Sequence, residues 1–283
     1  MSQTGRSIKN MVTLQTIEEI HRLFPTMGSS PALVTCNDFR YWVCKYDRSP
    51  LNLFNELIAA KFAEIWSLMT PEVCFIQVKQ GHVPLQKFPQ LQYDLFNKEC
   101  FGSLYLETSK EIDLTTVSLF KEKSFVDKLG NKEDFLKIAL FDIWLANEDR
   151  NHNNFNLLLH ASSEKLNFLY AIDHVNIFNS SFLNYEIAEL TEDDSIIKTE
   201  LAKILFGRKR KLPEIVENLV QNFYLCISEC KERLDEIIAL VPNSWNLNTD
   251  DLRQRILDNV FTEDWNETCI NNFRMFIQSF IVN

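Results

Sequence analysis

Asn147-Glu148-Asp149-Arg150-Asn151-His152-Asn153-Asn154-Phe155-Asn156 is the stretch on which the reading of this chain turns. Asn and Asp favour turns, so taken alone it reads as a surface loop. Its flanks argue for more. Lys132 to Asn147, just before it, is very apolar and predicts a helix buried almost all round. Asn156 to His160 and Leu166 to Ile172, just after it, predict two strands joined by a polar turn. A second acid, Asp173, ends that hairpin within Leu169-Tyr170-Ala171-Ile172-Asp173-His174. An acid at the end of an apolar strand is harder to dismiss than one in a loop.

These residue types are the ones phosphoryl transfer needs. A carboxylate must orient or deprotonate the attacking hydroxyl, and hard oxygen ligands must hold Mg²⁺ against the phosphates. In protein kinases a base Asp precedes a metal-binding Asn by five residues, and a further metal-binding Asp ends a later hairpin. Here Asp149 precedes Asn154 by five, and Asp173 stands at the hairpin end.

Upstream, Arg40 to Tyr46 predicts a strand with Tyr41, Val43 and Lys45 on one face and Trp42, Cys44 and Tyr46 on the other. Leu53 to Leu68 predicts a helix ended by Pro71, with Glu56 near its start. A lone lysine at a strand end reads as a snorkelling edge residue. A strand lysine paired with a helix glutamate is how kinases hold the α- and β-phosphates, and Lys45 with Glu56 fits that arrangement.

Around this frame, Thr16-Ile17-Glu18-Glu19 predicts a capped helix to about Phe24. Pro25 to Pro31 is a loop holding Gly28-Ser29-Ser30. Ala32 to Thr35, Val73 to Val78 and Ser103 to Glu107 predict strands, with an irregular Gln- and Pro-rich stretch from Lys79 to Cys100. From about Tyr185 the chain reads as helical. Pro213 sits in the first turn of a helix to about Val241, and Thr249 and Thr262 cap two final helices. The expected fold is α+β and two-lobed: a small sheet lobe over residues 1–107 and a larger helical lobe over 108–283.

Composition is compatible with this. Of 283 residues 46% are apolar, enough for a sizeable core, and only 6 are glycine. The net charge of −10 disfavours broad nucleic-acid binding, because a polyanion is repelled on average. The basic run Arg208-Lys209-Arg210-Lys211 reads as a solvated loop. Seven cysteines, with no CxxC pair, read as reduced core residues of a cytoplasmic protein. No apolar run approaches the roughly 18 residues of a membrane span.

Three segments together resemble the HipA-like kinases: Asn55-Glu56-Leu57-Ile58-Ala59-Ala60, the block Asn147 to Leu159, and Ala171-Ile172-Asp173-His174. The resemblance runs from about Gly28 to Phe178. It implies a fold related to protein and lipid kinases, with ATP and Mg²⁺ as cofactors. It implies Asp149 as catalytic base, Asn154 and Asp173 as metal ligands, and Lys45, which reads as the partner of Glu56, as phosphate contact. Arg150, grouped with Asp149 at the catalytic position, reads as an orienting residue that tethers nearby carboxylates or carbonyls. The resemblance also places the adenine-binding hinge near Glu107 and the phosphate-covering loop at Gly28, Ser29 and Ser30. His174 is expected to be a structural hydrogen-bonding residue. The chain departs from the family pattern at Asn151, where a histidine usually follows Asp-Arg, and in its glycine-poor phosphate loop.

The expected activity is a protein Ser/Thr kinase. Two alternatives stand beside it: a catalytically silent nucleotide-binding scaffold and a small-molecule kinase on the same fold. A protein substrate is expected, and no DNA-binding module is legible, so a regulatory partner would be a separate protein.

Overall fold

The computed structural model describes residues 10–25, 30–162, 164–207 and 210–282. Its first part is a six-stranded sheet in the order β1-β5-β6-β4-β3-β2. The strands are β1 (Thr13–Gln15), β2 (Arg22–Leu23), β3 (Ala32–Thr35), β4 (Tyr41–Lys45), β5 (Val73–Gln77) and β6 (Cys100–Leu104). β1 pairs parallel with β5, and every other neighbour is antiparallel.

Side-chain alternation gives the sheet two different faces. Trp42, Cys44, Cys74, Ile76 and Cys100 point one way, into a cluster roofed by Val83, Leu91 and Phe96 from the irregular stretch after β5. Gly102 lies between Cys44 and Cys74 in register. A Cβ there would meet the Cys74 Sγ at 2.7 Å and Ile76 Cδ1 at 2.6 Å, so only glycine leaves room for that packing. The other face carries Val43, Lys45, Phe75 and Phe101.

Helix α1 (Pro50–Ile65) packs against β6 on that second face and continues onto the helical part of the chain. Proline fits its first turn, where the missing N–H costs no helical bond. Every residue from Leu53 to Ala63 is buried, which explains the weak amphipathicity of its sequence. Three of these, Asn55, Glu56 and Lys61, are polar and need partners.

A second sheet, β7-β8-β9, is formed by Ser109–Glu111, Leu157–Ala161 and Asn167–Ala171. Short helices α2 (Leu114–Val117) and α3 (Lys123–Val126) lead to α4 (Asp134–Leu145), which is buried along almost its whole length. The chain then forms α5 (Glu200–Phe206), α6 (Leu212–Glu232), α7 (Leu234–Ile238), α8 (Thr249–Val260) and α9 (Glu263–Ile277). α9 packs on α4, and Trp265 Nε1 donates to the Trp144 carbonyl at 2.9 Å. Trp66, at the end of α1, stacks on Trp144 of α4 with ring centroids 5.4 Å apart and planes 20° apart. Burying aromatic rings of this size contributes about 1.5–3 kcal/mol each. A sheet region followed by a helical region is the expected α+β, two-lobed, protein-kinase-like fold. Among the described residues no helix is long and apolar enough to cross a membrane.

Five expectations are corrected. The segment from Thr16 to Phe24 is not a helix: Thr16 bridges Cys36, and Arg22–Leu23 is a strand. The Thr16 hydroxyl accepts from the Lys79 N–H at 3.1 Å, so the residue read as a helix cap closes a tertiary turn. β6 runs over Cys100–Leu104, three residues before the expected span, because Trp42, Val43, Cys44 and Lys45 set its register. The chain from Tyr185 to Thr199 is irregular, and regular helix begins at Glu200. The long helix starting at Leu212 breaks at Arg233, and Asn248, one residue before Thr249, caps α8. Thr262 caps α9 as expected.

Candidate active site

Lys45 is the last residue of β4, on the face that meets α1, and Glu56 is buried in the second turn of that helix. The Lys45 Nζ donates to the Glu56 carboxylate and, at 3.0 Å, to Asp173 Oδ1. Asp173 follows β9 with a left-handed backbone, φ 57°. Asn55, beside Glu56, donates from its amide to the Val175 carbonyl at 2.8 Å. Helix α1 is thereby joined twice to the segment around Asp173.

The charges of this trio are unequal. Burial pushes the Glu56 carboxyl up to about 7; the positive charge of Lys45 opposes the rise and the negative charge of Asp173 adds to it. The Lys45 ammonium holds Asp173 down to about 2. Burial works against the Lys45 charge, but the two carboxylates more than offset it and raise its pKa.

The loop from Asn147 to Asn156 begins where α4 stops at Ala146, in a left-handed cap conformation. Asp142, one turn back on α4, accepts from the Asn147 amide at 2.9 Å and from the Arg150 guanidinium. Arg150 is fully buried. Its Nη2 donates to the Ile172 carbonyl at 2.6 Å and lies 3.2 Å from His174 Nε2, and its Nε donates to the Asn156 carbonyl at 3.4 Å. Arginine only donates, so His174 Nε2 is the accepting nitrogen and the proton sits on Nδ1. Burial, with the Arg150 charge beside it, drives the His174 pKa well below the ordinary value and keeps the ring neutral. Burial pushes the Asp142 carboxyl up, and Arg150 opposes it.

Arg150 therefore fastens the Asp149 loop to the Asp173 segment. Asp149 itself is half-buried, and its Oδ2 accepts from Asn156 Nδ2 at 3.1 Å. Asn151 and Asn154 exchange backbone hydrogen bonds of 2.9 and 3.3 Å, a tight turn that leaves the Asn154 side chain exposed. Next to this turn lies a cavity of about 240 Å³, lined by His152, Asn153 and Phe155 on one side and by Leu114, Val117, Asp193, Lys198, Thr199, Glu200 and Leu201 on the other.

The structure thus brings Lys45, Glu56 and Asp173 into contact, and Arg150 joins the loop that carries Asp149 and Asn154 to the segment that carries Asp173 through the Asn156 and Ile172 carbonyls. The contacts of Arg150 are to Asp142, the Asn156 and Ile172 carbonyls and His174. Glu107 stands apart, in an exposed turn after β6, where it lines a cavity of about 360 Å³ with Tyr41, Tyr105, Leu106 and His160. The Ser30 carbonyl accepts from the Tyr46 hydroxyl at 2.6 Å. Gly28 and Ser29 lie outside the described residues.

Three residues of this network were not singled out from sequence: Asp142, Glu148 and Asn156. A signal existed for Asp142, since an acid inside a helix buried all round requires a partner. Glu148 accepts from Asn179 Nδ2 at 3.2 Å and so holds the segment after Asp173. Asn156 sits at φ 46°, a conformation asparagine tolerates better than most residues.

No curated protein sequence matches the chain. The solved structure of the Helicobacter pylori proinflammatory kinase CtkA superposes with a TM-score of 0.52 at 16% identity, covering 93% of this chain and 99% of that one. HipA of Shewanella oneidensis MR-1, solved with HipB and operator DNA, gives a TM-score of 0.47 at 12% identity over 90% of this chain and 68% of that one. The first likeness is one of fold. The sequence profile of the HipA-like kinases matches residues 17–275, and the chain belongs to that family.

Proposed function

We propose that this kinase-type phosphotransferase uses ATP and Mg²⁺ to phosphorylate a serine or threonine hydroxyl on a protein. The observation that carries the reading is the Lys45–Glu56–Asp173 chain of contacts, which puts a fixed cation and a strongly ionised carboxylate side by side. Lys45, held in place by Glu56, is suited to contact the α- and β-phosphates.

Asp173 and the exposed amide of Asn154 fit Mg²⁺, an ion bound through one or two protein oxygens with substrate phosphates and water completing the shell. Asp173 and Asn154 would hold such an ion beside Lys45, where it would supply positive charge against that of the phosphates. Asp149 takes the part of the base. Its carboxylate is aimed by Asn156 and by the loop that Arg150 anchors, and it accepts or orients the proton of the acceptor hydroxyl. We place the lobe division near Glu107, because β6 ends the first sheet at Leu104 and β7 opens the second at Ser109. The backbone near Glu107 then faces the base of the nucleotide.

A protein acceptor is favoured over a small cation by the cavity beside Asn153. Its apolar lining of Leu114, Val117, Phe155 and Leu201 and its mixture of Lys198 with Asp193 and Glu200 suit a side chain of a polypeptide. The test is incubation with labelled ATP and Mg²⁺, followed by mass spectrometry of the protein and of a cell lysate. Label transferred to serine or threonine by the wild type, and lost in Asp149→Asn, is the expected result. Nucleotide binding without transfer to any protein or metabolite would make the chain a scaffold.

A further inference from the structure

Arg22, Leu33, Val43 and Ser103 stand directly opposite one another across β2, β3, β4 and β6. Residues paired in this way share a face, and Val43 shares its face with Lys45, two residues on. Tyr105 is two residues beyond Ser103 and continues the pairing through its N–H to the Tyr41 carbonyl at 3.0 Å. Arg22 and Tyr105 therefore both rise from the face that carries Lys45, from strands separated by β3 and β4.

They meet above it. Arg22 Nη2 donates to the Tyr105 hydroxyl at 2.9 Å. The guanidinium lies 4.7 Å from the centroid of the Phe24 ring and 5.6 Å from that of Tyr105, and the two rings are 6.1 Å apart. This bridge spans the surface made by Leu33 and Val43. That surface adjoins both Lys45 and the turn holding Glu107, the two ends between which the proposed function places a nucleotide.

We propose that Arg22 and Tyr105 form a clasp over the base-binding part of the cleft, closed in the free protein and opened when a purine nucleotide enters. The inference rests on the proposed ATP-binding role. Physical chemistry favours a movable contact here. Arg22 is exposed and on an edge strand, so breaking its bond exposes no buried charge. A planar cation and two aromatic rings are also surfaces on which a base can stack once they separate.

The clasp hides the binding-competent form. A single net hydrogen bond favours the closed form by roughly two- to twelvefold. Apparent affinity falls by the open fraction, so removing the bond tightens binding by about two- to tenfold. The experiment is calorimetric titration of the full chain and of two variants with three probes: Mg²⁺-ATP, adenosine and Mg²⁺-tripolyphosphate. Tyr105→Phe keeps the ring and loses the hydroxyl, and Arg22→Met keeps the apolar stem and loses the guanidinium.

Both variants are expected to bind ATP and adenosine about two- to tenfold more tightly and tripolyphosphate as the wild type does. Unchanged or weaker adenosine binding in either variant overturns the clasp, and so does an equal gain for tripolyphosphate, which would report general loosening. Wild-type ATP binding without a gain in the variants overturns the clasp alone. Failure of wild type and variants alike to bind ATP overturns the proposed function and the clasp with it.

Discussion

Lys45 Nζ donates to Asp173 Oδ1 at 3.0 Å across 128 residues of chain, while the same ammonium donates to Glu56. One cation thus joins the first sheet, helix α1 and the segment after β9. The contact fixes the direction in which Asp173 acts: a carboxylate held ionised by a neighbouring cation can meet Mg²⁺ without first losing a proton.

Asp173→Ala removes that carboxylate. Mg²⁺-ATP affinity is expected to fall at least tenfold, because phosphate charge near Lys45 loses the ion that balances it. Calorimetry with and without Mg²⁺ checks this. Affinity equal to the wild type would remove Asp173 from the metal site.

Asp149→Asn keeps the size of the side chain and removes its charge and basicity. Turnover is expected to fall by about 10²-fold or more, the scale of losing a positioned base, with nucleotide affinity close to wild type. Transfer and binding measured under the same conditions separate the two effects. Full activity in the variant would show that Asp149 is not the base.

Stability should respond to pH with opposite signs at two of these residues. Glu56 is pushed up to about 7 from an ordinary 4.5, so between these values the folded protein keeps a proton that the unfolded chain has released. Its contribution falls as pH rises through that window. Asp173 is held down to about 2 from 3.8, so its contribution is complete above about 3.8 and is lost as pH falls toward 2. Glu56→Gln is expected to flatten the decline between 4.5 and 7, and Asp173→Asn the loss in acid. Urea midpoints taken across pH 2 to 8 read both slopes.

Arg150→Met leaves Asp142 ionisable and unpaired in the interior and strips a donor from the Ile172 carbonyl. Unpairing a buried charge costs about 3–5 kcal/mol. The urea midpoint of the variant should drop accordingly, and Asp142→Asn in the same chain should recover part of it. A midpoint unchanged from wild type would mean that the pair does not hold the loop.

The reading from sequence succeeded where chemistry and local pattern coincide. The alternation of Tyr41 to Tyr46 placed Lys45 on the correct face, and the apolar run before Asn147 placed the loop at the end of a buried helix. It failed where distant residues decide. Thr16-Ile17-Glu18-Glu19 carries a local helix signal, yet Ile20 is buried and the segment is held by Cys36, Gln77, Lys79 and His82. Pairing with strands sixty residues away overrides a propensity worth tenths of a kcal/mol per residue. Arg150 was expected to bond nearby carboxylates or carbonyls, and it bonds the Asp142 carboxylate and the Ile172 carbonyl, but neither partner was named in advance. An acid in a helix predicted to be buried almost all round needs a partner, but nothing local shows that the partner of Asp142 is Arg150, which reaches it only after the chain has turned at Ala146.

The stacked indoles of Trp66 and Trp144 give the molecule a built-in optical gauge. Glu56 lies in the second turn of α1 and Trp66 at the end of the same rod, and Trp144 belongs to the helix from which the Asp149 loop departs. Two chromophores stacked at 5.4 Å couple their electronic transitions, and that coupling changes steeply with separation and tilt. A change in how this rod packs on α4 would alter the separation or the tilt of the two indoles. The near-ultraviolet circular dichroism of the unlabelled protein therefore reports whether the rod is seated, with no dye attached and no substrate present.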